Sequence, residues 1–177
     1  MGLDMFIFKT EKENTPDMVQ KIIKCLEIEN SKFVDLGFAR FKVTSVIDGD
    51  FDSAMYHELD SLNPSVYWRN ANAINNWLAT KLNDGGQFYY PVLITKETLT
   101  DLYNCCKTVL SACTNKKGNI KINQKICKKV LPCNEYYKHY GYDEEYIQYI
   151  KETVAHINRI FLTTNFDKTN LLYIADW

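Results

Sequence analysis

The two ends of the chain constrain the fold most, because each carries a short apolar stretch that predicts a β-strand. Residues 3–8 are apolar at every position except Asp4, so both faces of this strand would be covered. Residues 171–175 are also largely apolar and close the chain as a last strand. An unpaired apolar strand at either end would be an exposed edge. We therefore predict that the first and last strands lie in the same sheet.

Asp4 is an acid among these apolar neighbours. A buried carboxylate without a partner is costly. We expect Asp4 either to pair with a cation or to hydrogen-bond a loop.

Between the two ends, helical and strand-like patterns follow one another without the regular alternation that a doubly wound sheet requires. The predicted fold is α+β: one domain over residues 1–177, with a small, mostly antiparallel sheet and several packed helices. Three helices are predicted to start at Thr15-Pro16, Thr95 and Asp143, and three more are predicted over 51–59, 66–82 and 121–130. Further strands are predicted over 33–47 and 87–94. The strand over 87–94 should lie at a sheet edge, because it contains Pro91.

The composition excludes several classes of partner. The formal net charge is -1 over 177 residues, so the chain has no general attraction to nucleic acid or to an anionic membrane surface. No run of 18 apolar residues is present to span a membrane. The first residues lack the basic segment of a signal peptide, so we expect a cytoplasmic protein without membrane or nucleic-acid partners.

Familiar catalytic and metal-binding motifs are missing. There is no phosphate-binding glycine loop, no nucleophile elbow and no helical His pair. The cysteines form no C-x-x-C pair, so we predict free thiols, no metal site and no cofactor. The six cysteines are Cys25, Cys105, Cys106, Cys113, Cys127 and Cys133.

Residues 66–78 carry the most unusual pattern, which we interpret as a helix with an apolar stripe and a polar-aromatic flank. The stripe consists of Tyr67, Ala71, Ile74, Leu78 and Leu82, and the flank consists of Trp68, Arg69, Asn72, Asn75 and Asn76. Amides, an indole and a guanidinium hydrogen-bond and stack with little net charge, which favours a ligand-binding surface. The alternative is structural: the aromatics are core, and the Asn side chains cap or bridge loops.

A second unusual feature is a tyrosine-rich loop, with four tyrosines in seven residues between positions 136 and 142. Tyrosine offers rigid, amphipathic contact surface. The loop therefore predicts further ligand contacts, or else a lid that shields the core. The full set of predicted ligand-binding residues is Tyr67, Trp68, Arg69, Asn72, Asn75, Asn76, Tyr136, Tyr137 and Tyr140; no catalytic residue is predicted.

These motifs resemble a family of uncharacterised bacteriophage and prophage proteins. The resemblance covers residues 1–9 and 66–177 and rests on four sequence segments: GLDMF at 2–6, YWRxANAIxxW at 67–77, Leu131-Pro132, and YDExY at 142–146 with the closing strand to Trp177. The family pattern has a His after the Ala-Ile pair, where this chain has Asn75. Asn still donates and accepts hydrogen bonds, so a binding role survives this exchange better than a catalytic one.

The resemblance implies a small phage accessory protein that acts in the host cytoplasm. Some such proteins are sponges, which sequester a nucleotide-derived immune signal. We therefore expect a pocket for a small nucleotide-like ligand, without catalysis. The alternatives are an enzyme that modifies such a nucleotide, with Asp4, His139 or Glu144 in acid–base roles, and an inhibitor that binds a host protein through its tyrosines. Homo-oligomerisation stays open.

Overall fold

The computed structural model describes residues 3–25, 33–35, 40–42, 62–86, 90–114, 120–134 and 141–176. In chain order the elements are β1 (Asp4–Glu11), a 3-10 turn (Lys12–Asn14), α1 (Thr15–Cys25), β2 (Phe33–Asp35), β3 (Arg40–Lys42), β4 (Val66–Arg69), α2 (Asn72–Leu82), β5 (Val92–Ile94), α3 (Lys96–Cys113), α4 (Gln124–Val130), α5 (Glu144–Thr163) and β6 (Thr169–Asp176). This is the α+β fold that the sequence predicts.

The main sheet has the strand order β4-β1-β6-β5, and all its pairings are antiparallel. The first and last strands are neighbours along their whole length, from Asp4 opposite Asp176 to Glu11 opposite Thr169. The prediction that they share a sheet is confirmed. β5 forms one end of the sheet, as Pro91 predicts, because proline cannot donate to a further strand.

Both faces of the sheet are covered, and residues 5–8 of β1 are all buried. Residues opposite one another in antiparallel strands share a face, and alternate residues change face. On one face, Asn170 of β6 donates a hydrogen bond to Thr15 Oγ1, at the start of α1, over 3.0 Å. On the other face, Tyr173 bonds Asn75 of α2. The sheet therefore lies between α1 and α2.

The helix α5 lies on the same face as α2. The Trp68 Nε1 group of β4 donates to Thr153 Oγ1 of α5 over 3.0 Å. Trp68 shares its face with Tyr173, because they pair with Met5 and Ile7 of β1. The longest helices, α3 and α5, then pack against each other, and α4 packs on α3.

The predicted central helix is wrong for residues 66–71. Residues 66–69 form an edge strand, and the helix begins only at Asn72. Asn70 makes the break: it has a left-handed backbone (φ 57°), and its N–H donates to the Leu3 carbonyl over 2.7 Å. Its Oδ1 accepts from the Leu3 N–H over 3.1 Å, so both backbone groups of Leu3 fix the turn.

Several local predictions are confirmed. Thr95 and Asp143 cap α3 and α5, since their side chains accept from the N–H three residues on. α2 ends at Leu82, as predicted, and Gly85 (φ 82°) of the turn that follows donates to the Ala79 carbonyl. The 33–47 stretch contains the antiparallel pair β2–β3.

Other predictions differ or cannot be compared. The 121–130 helix begins only at Gln124, whereas α1 begins at Thr15 as predicted, after a 3-10 turn. The predicted helix over 51–59 and the predicted ligand-binding residues Tyr136, Tyr137 and Tyr140 lie outside the described residues. None of the described helices combines the length and apolar character needed to cross a bilayer.

Candidate functional site

Arg69 reaches solvent because it alternates along a strand. In β4, Val66 and Trp68 are buried, whereas Tyr67 and Arg69 are exposed. Arg69 is the last residue of this edge strand, and Asn70 then turns the chain away. The side chain therefore stands at the open rim of the sheet rather than on a helix flank.

An open cleft of about 270 Å³ lies at this rim. One wall is Arg69 with Asn70. The other belongs to α5 and the residues just before it, which contribute Gly141, Asp143, Glu145, Tyr146, Gln148, Tyr149 and Glu152. The volume is slightly below that of typical small-molecule pockets.

The helical period of α5 explains which side chains reach the cleft. Glu145, Gln148, Tyr149 and Glu152 follow at intervals of three, four and seven residues from the first, which places them on one face. Asp143 Oδ1 accepts from the Tyr146 N–H over 3.0 Å and fixes where the helix starts. The cleft is therefore built from the first turns of a capped helix and the end of a strand.

The cleft is rich in acceptors and has one fixed cation. Its lining carries three carboxylates, from Asp143, Glu145 and Glu152, against the Arg69 guanidinium. No ion pair joins Arg69 to any residue in the described part of the chain; the ion pair found there joins Lys81 to Asp101 at 3.0 Å. A guanidinium suits an anionic group, while the carboxylates and Gln148 suit N–H or O–H donors.

The two tyrosines of the cleft are neutral hydrogen-bonding groups. The Tyr146 hydroxyl donates to the Leu131 carbonyl over 3.1 Å, and the Tyr149 hydroxyl lies 3.7 Å from Cys133 Sγ. Burial raises the pKa of both phenols far above the usual range. Neither can act as a general base near neutral pH.

The predicted amides of α2 lie in a buried network instead of the cleft. Asn75 Oδ1 accepts from the Tyr173 hydroxyl over 2.7 Å, which joins α2 to the sheet. Asn72 Oδ1 accepts from the Asn134 N–H over 2.7 Å, and Asn76 Nδ2 donates to the Pro132 carbonyl over 2.9 Å. These contacts hold segment 131–134 on the helix, as the loop-bridging alternative expects. Asn72 Nδ2 is buried and has no hydrogen-bond partner among the described residues.

The predicted aromatics also separate. Trp68 is 2% exposed, hydrogen-bonds Thr153 and packs edge-to-face on the His156 ring, with the two ring centroids 5.6 Å apart. Trp68 therefore belongs to the core. Tyr67 is 43% exposed but does not line the cleft; its hydroxyl donates to the Asp4 carboxylate. Asp4 therefore accepts a hydrogen bond from a hydroxyl on β4, where the sequence predicted a cation or a loop as its partner.

Of the predicted ligand-binding residues that the structure describes, Arg69 reaches the cleft and the others do not. The sequence interpretation missed Asn70, Glu145, Gln148, Tyr149 and Glu152. In the sequence these residues belong to the polar face of the last helix and to the acidic run at its start, 143–145. Of the acid–base candidates, Asp4 and Glu144 do not line the cleft, and His139 lies outside the described residues.

Comparison with known proteins adds no relative: no protein-family model, no curated protein and no solved structure matches this chain. Within the described residues, no group of three or more His, Cys, Asp or Glu side chains is placed to hold a metal ion.

Proposed function

We propose that the protein is a binding module that holds a small nucleotide-derived ligand, without catalysis, in the cleft between Arg69 and α5. One observation carries the proposal: an arginine with no ion-pair partner in the described chain stands across an open cavity from an acceptor-rich helix face. A ligand that combines one anionic group with several N–H donors complements both walls.

A nucleotide has these two ends. Its phosphate suits the Arg69 guanidinium, and the exocyclic amine and ring N–H groups of a base suit Glu145, Gln148 or Glu152. The three carboxylates repel additional negative charge, so we expect one phosphate, not a triphosphate, to enter. At about 270 Å³ the cleft suits one nucleoside moiety.

The resemblance to phage and prophage proteins suggests the biological setting. A non-catalytic module of this kind would act as a sponge, keeping a nucleotide-derived immune signal from its host effector. Sequestration needs only affinity, and the cleft offers complementary groups on both walls.

Binding and release test the proposal. The full chain is dialysed against a panel of nucleoside monophosphates, cyclic nucleotides and ADP-ribose and is then denatured. Mass spectrometry measures the mass of any compound that the denatured protein releases. We expect retention of at least one compound and its release unchanged. Release of an altered compound would show an enzyme, and no retention of any panel member would contradict the proposal.

Variants of cleft residues test whether the ligand binds in the cleft. Arg69→Ala should weaken retention about tenfold to a hundredfold, the value of a charge-assisted hydrogen bond of roughly 1.5–3 kcal/mol. Arg159→Ala is the matched control, because Arg159 is also exposed on α5 but does not line the cleft. Glu145→Gln and Glu152→Gln test whether the α5 wall contacts the base of the ligand. Weaker binding would indicate that an N–H group of the base donates to the carboxylate. Stronger binding would indicate that the protein contacts only the anionic group.

A further inference from the structure

The thiols of Cys113 and Cys127 lie in contact, and neither residue lines the Arg69 cleft. Cys113 ends α3 and Cys127 lies in α4, and their Sγ atoms are 3.7 Å apart. The chain returns to α3 through a bridge between Thr114 and Ile120 and a 2.7 Å bond from the Lys121 N–H to the Cys113 carbonyl. The backbone, not chance side-chain orientation, therefore brings α4 beside the end of α3.

The environments of the two thiols differ. Cys113 lines a surface cavity of about 370 Å³ together with Lys121, Asn123 and Gln124. The Asn123 N–H donates to Cys113 Sγ over 3.3 Å. Both side chains are almost fully buried, Cys113 at 1% and Cys127 at 0% exposed, but only Cys113 of the two lines this cavity. Burial raises the pKa of Cys127 to about 12. A small reagent that enters the cavity would therefore meet Cys113 before Cys127.

We propose that Cys113 and Cys127 form an oxidisable dithiol, which a small hydroperoxide converts to a disulfide that ties α3 to α4. In the first step the Cys113 thiolate attacks the peroxide O–O bond, which gives a sulfenic acid and releases an alcohol or water after proton transfer. In the second step the Cys127 sulfur attacks the Cys113 sulfur and expels water. Two thiols are oxidised by two electrons, and one peroxide is reduced.

Proximity compensates for the weak acidity of the second thiol. Cys127 is already in contact with the sulfur that it must attack, so the second step is intramolecular. Cys106 lacks this arrangement: it is buried, it does not line a described cavity, and burial raises its pKa above the usual range.

Mass spectrometry tests the proposal on the full chain. Reduced protein is treated with a few equivalents of hydrogen peroxide, quenched, denatured and alkylated. We expect four adducts in place of six, a mass lower by two hydrogens before alkylation, and one cross-linked peptide containing both cysteines. A disulfide between any other pair, or six adducts after treatment, would overturn the proposal, as would overoxidised Cys113 without a cross-link.

Variants give a second readout. Cys113→Ser and Cys127→Ser should each abolish the two-thiol loss, whereas the control Cys106→Ser should keep it. Loss of two thiols in Cys113→Ser would assign the reaction to another pair. The peptide map of the unsubstituted protein decides the pairing even where a variant fails to fold.

Discussion

The two halves of the aromatic and amide stretch, residues 66–71 and 72–82, behave in opposite ways. The first half is a strand that buries every second side chain and sends Arg69 to solvent. The second half is a helix in which Asn72 and Asn75 are buried and Asn76 is half-buried, and these amides hold the 131–134 segment and Tyr173. Polar character alone does not distinguish a solvent-facing residue from a structural one. The backbone period and the hydrogen-bond partners within the described chain distinguish them.

The largest expected effect concerns the buried side of the strand. Trp68→Ala should lower the free energy of unfolding by about 3–5 kcal/mol, because it leaves a cavity and removes the bond to Thr153. Denaturant unfolding measures this loss. The neighbouring Tyr67→Phe is the control: it removes only the hydroxyl that bonds Asp4 on a residue that is 43% exposed, so it should cost less. A mild effect of Trp68→Ala would place Trp68 on an open surface.

The second effect concerns the open side of the same strand. Arg69→Ala should weaken ligand retention about tenfold to a hundredfold while changing the unfolding free energy by less than about 0.5 kcal/mol. Ile74→Ala is the contrast, since Ile74 is fully buried in α2 and its truncation should cost about 2–5 kcal/mol. If Arg69→Ala clearly lowered the free energy of unfolding and left the ligand affinity of the folded protein unchanged, Arg69 would be a structural residue and the proposed site would fail.

The third effect tests whether the α2 amides are structural. Asn75→Ala should cost about 1–3 kcal/mol of stability, because it removes the amide oxygen that accepts from the buried Tyr173 hydroxyl. In a double-mutant cycle, Tyr173→Phe should remove most of that penalty, with a coupling of about 0.5–3 kcal/mol. Additive losses would mean that the two side chains act independently.

Two kinds of signal made parts of the fold predictable from the sequence. Thr95 and Asp143 cap helices through atoms three residues away, which is a local signal. The terminal strands pair over the whole length of the chain, and this was predictable because both are apolar and would otherwise be exposed edges. The break after Arg69 was missed because it depends on Leu3, 67 residues away, which bonds Asn70. Asparagine tolerates the left-handed backbone, so the signal was present but weak. The cleft was missed for the same reason, since it needs α5 beside β4.

The smallest expected effect concerns His156 of α5, which adjoins both the core around Trp68 and the Arg69 cleft. Its ring meets Trp68 on the core side, and Glu152 of the cleft is one helical turn away. Burial lowers the pKa of His156; Arg159 also lowers it, whereas Glu152 opposes the shift.

A depressed histidine pKa means that the unfolded chain binds a proton more readily than the folded one. Stability should therefore be fully present above the unfolded value of about 6.5 and decline as the pH falls from there toward the folded pKa. His156→Gln should remove this component, so thermal melts of both proteins between pH 7.5 and pH 5.5 isolate it from the carboxylates, which titrate lower. The effect should be small because His156 is only half-buried. If the unsubstituted protein instead gained stability over the variant on acidification, the attraction of Glu152 would outweigh the effect of burial on the pKa of His156. The charged imidazole would then interact mainly with the cleft carboxylate, and not with the core beside Trp68.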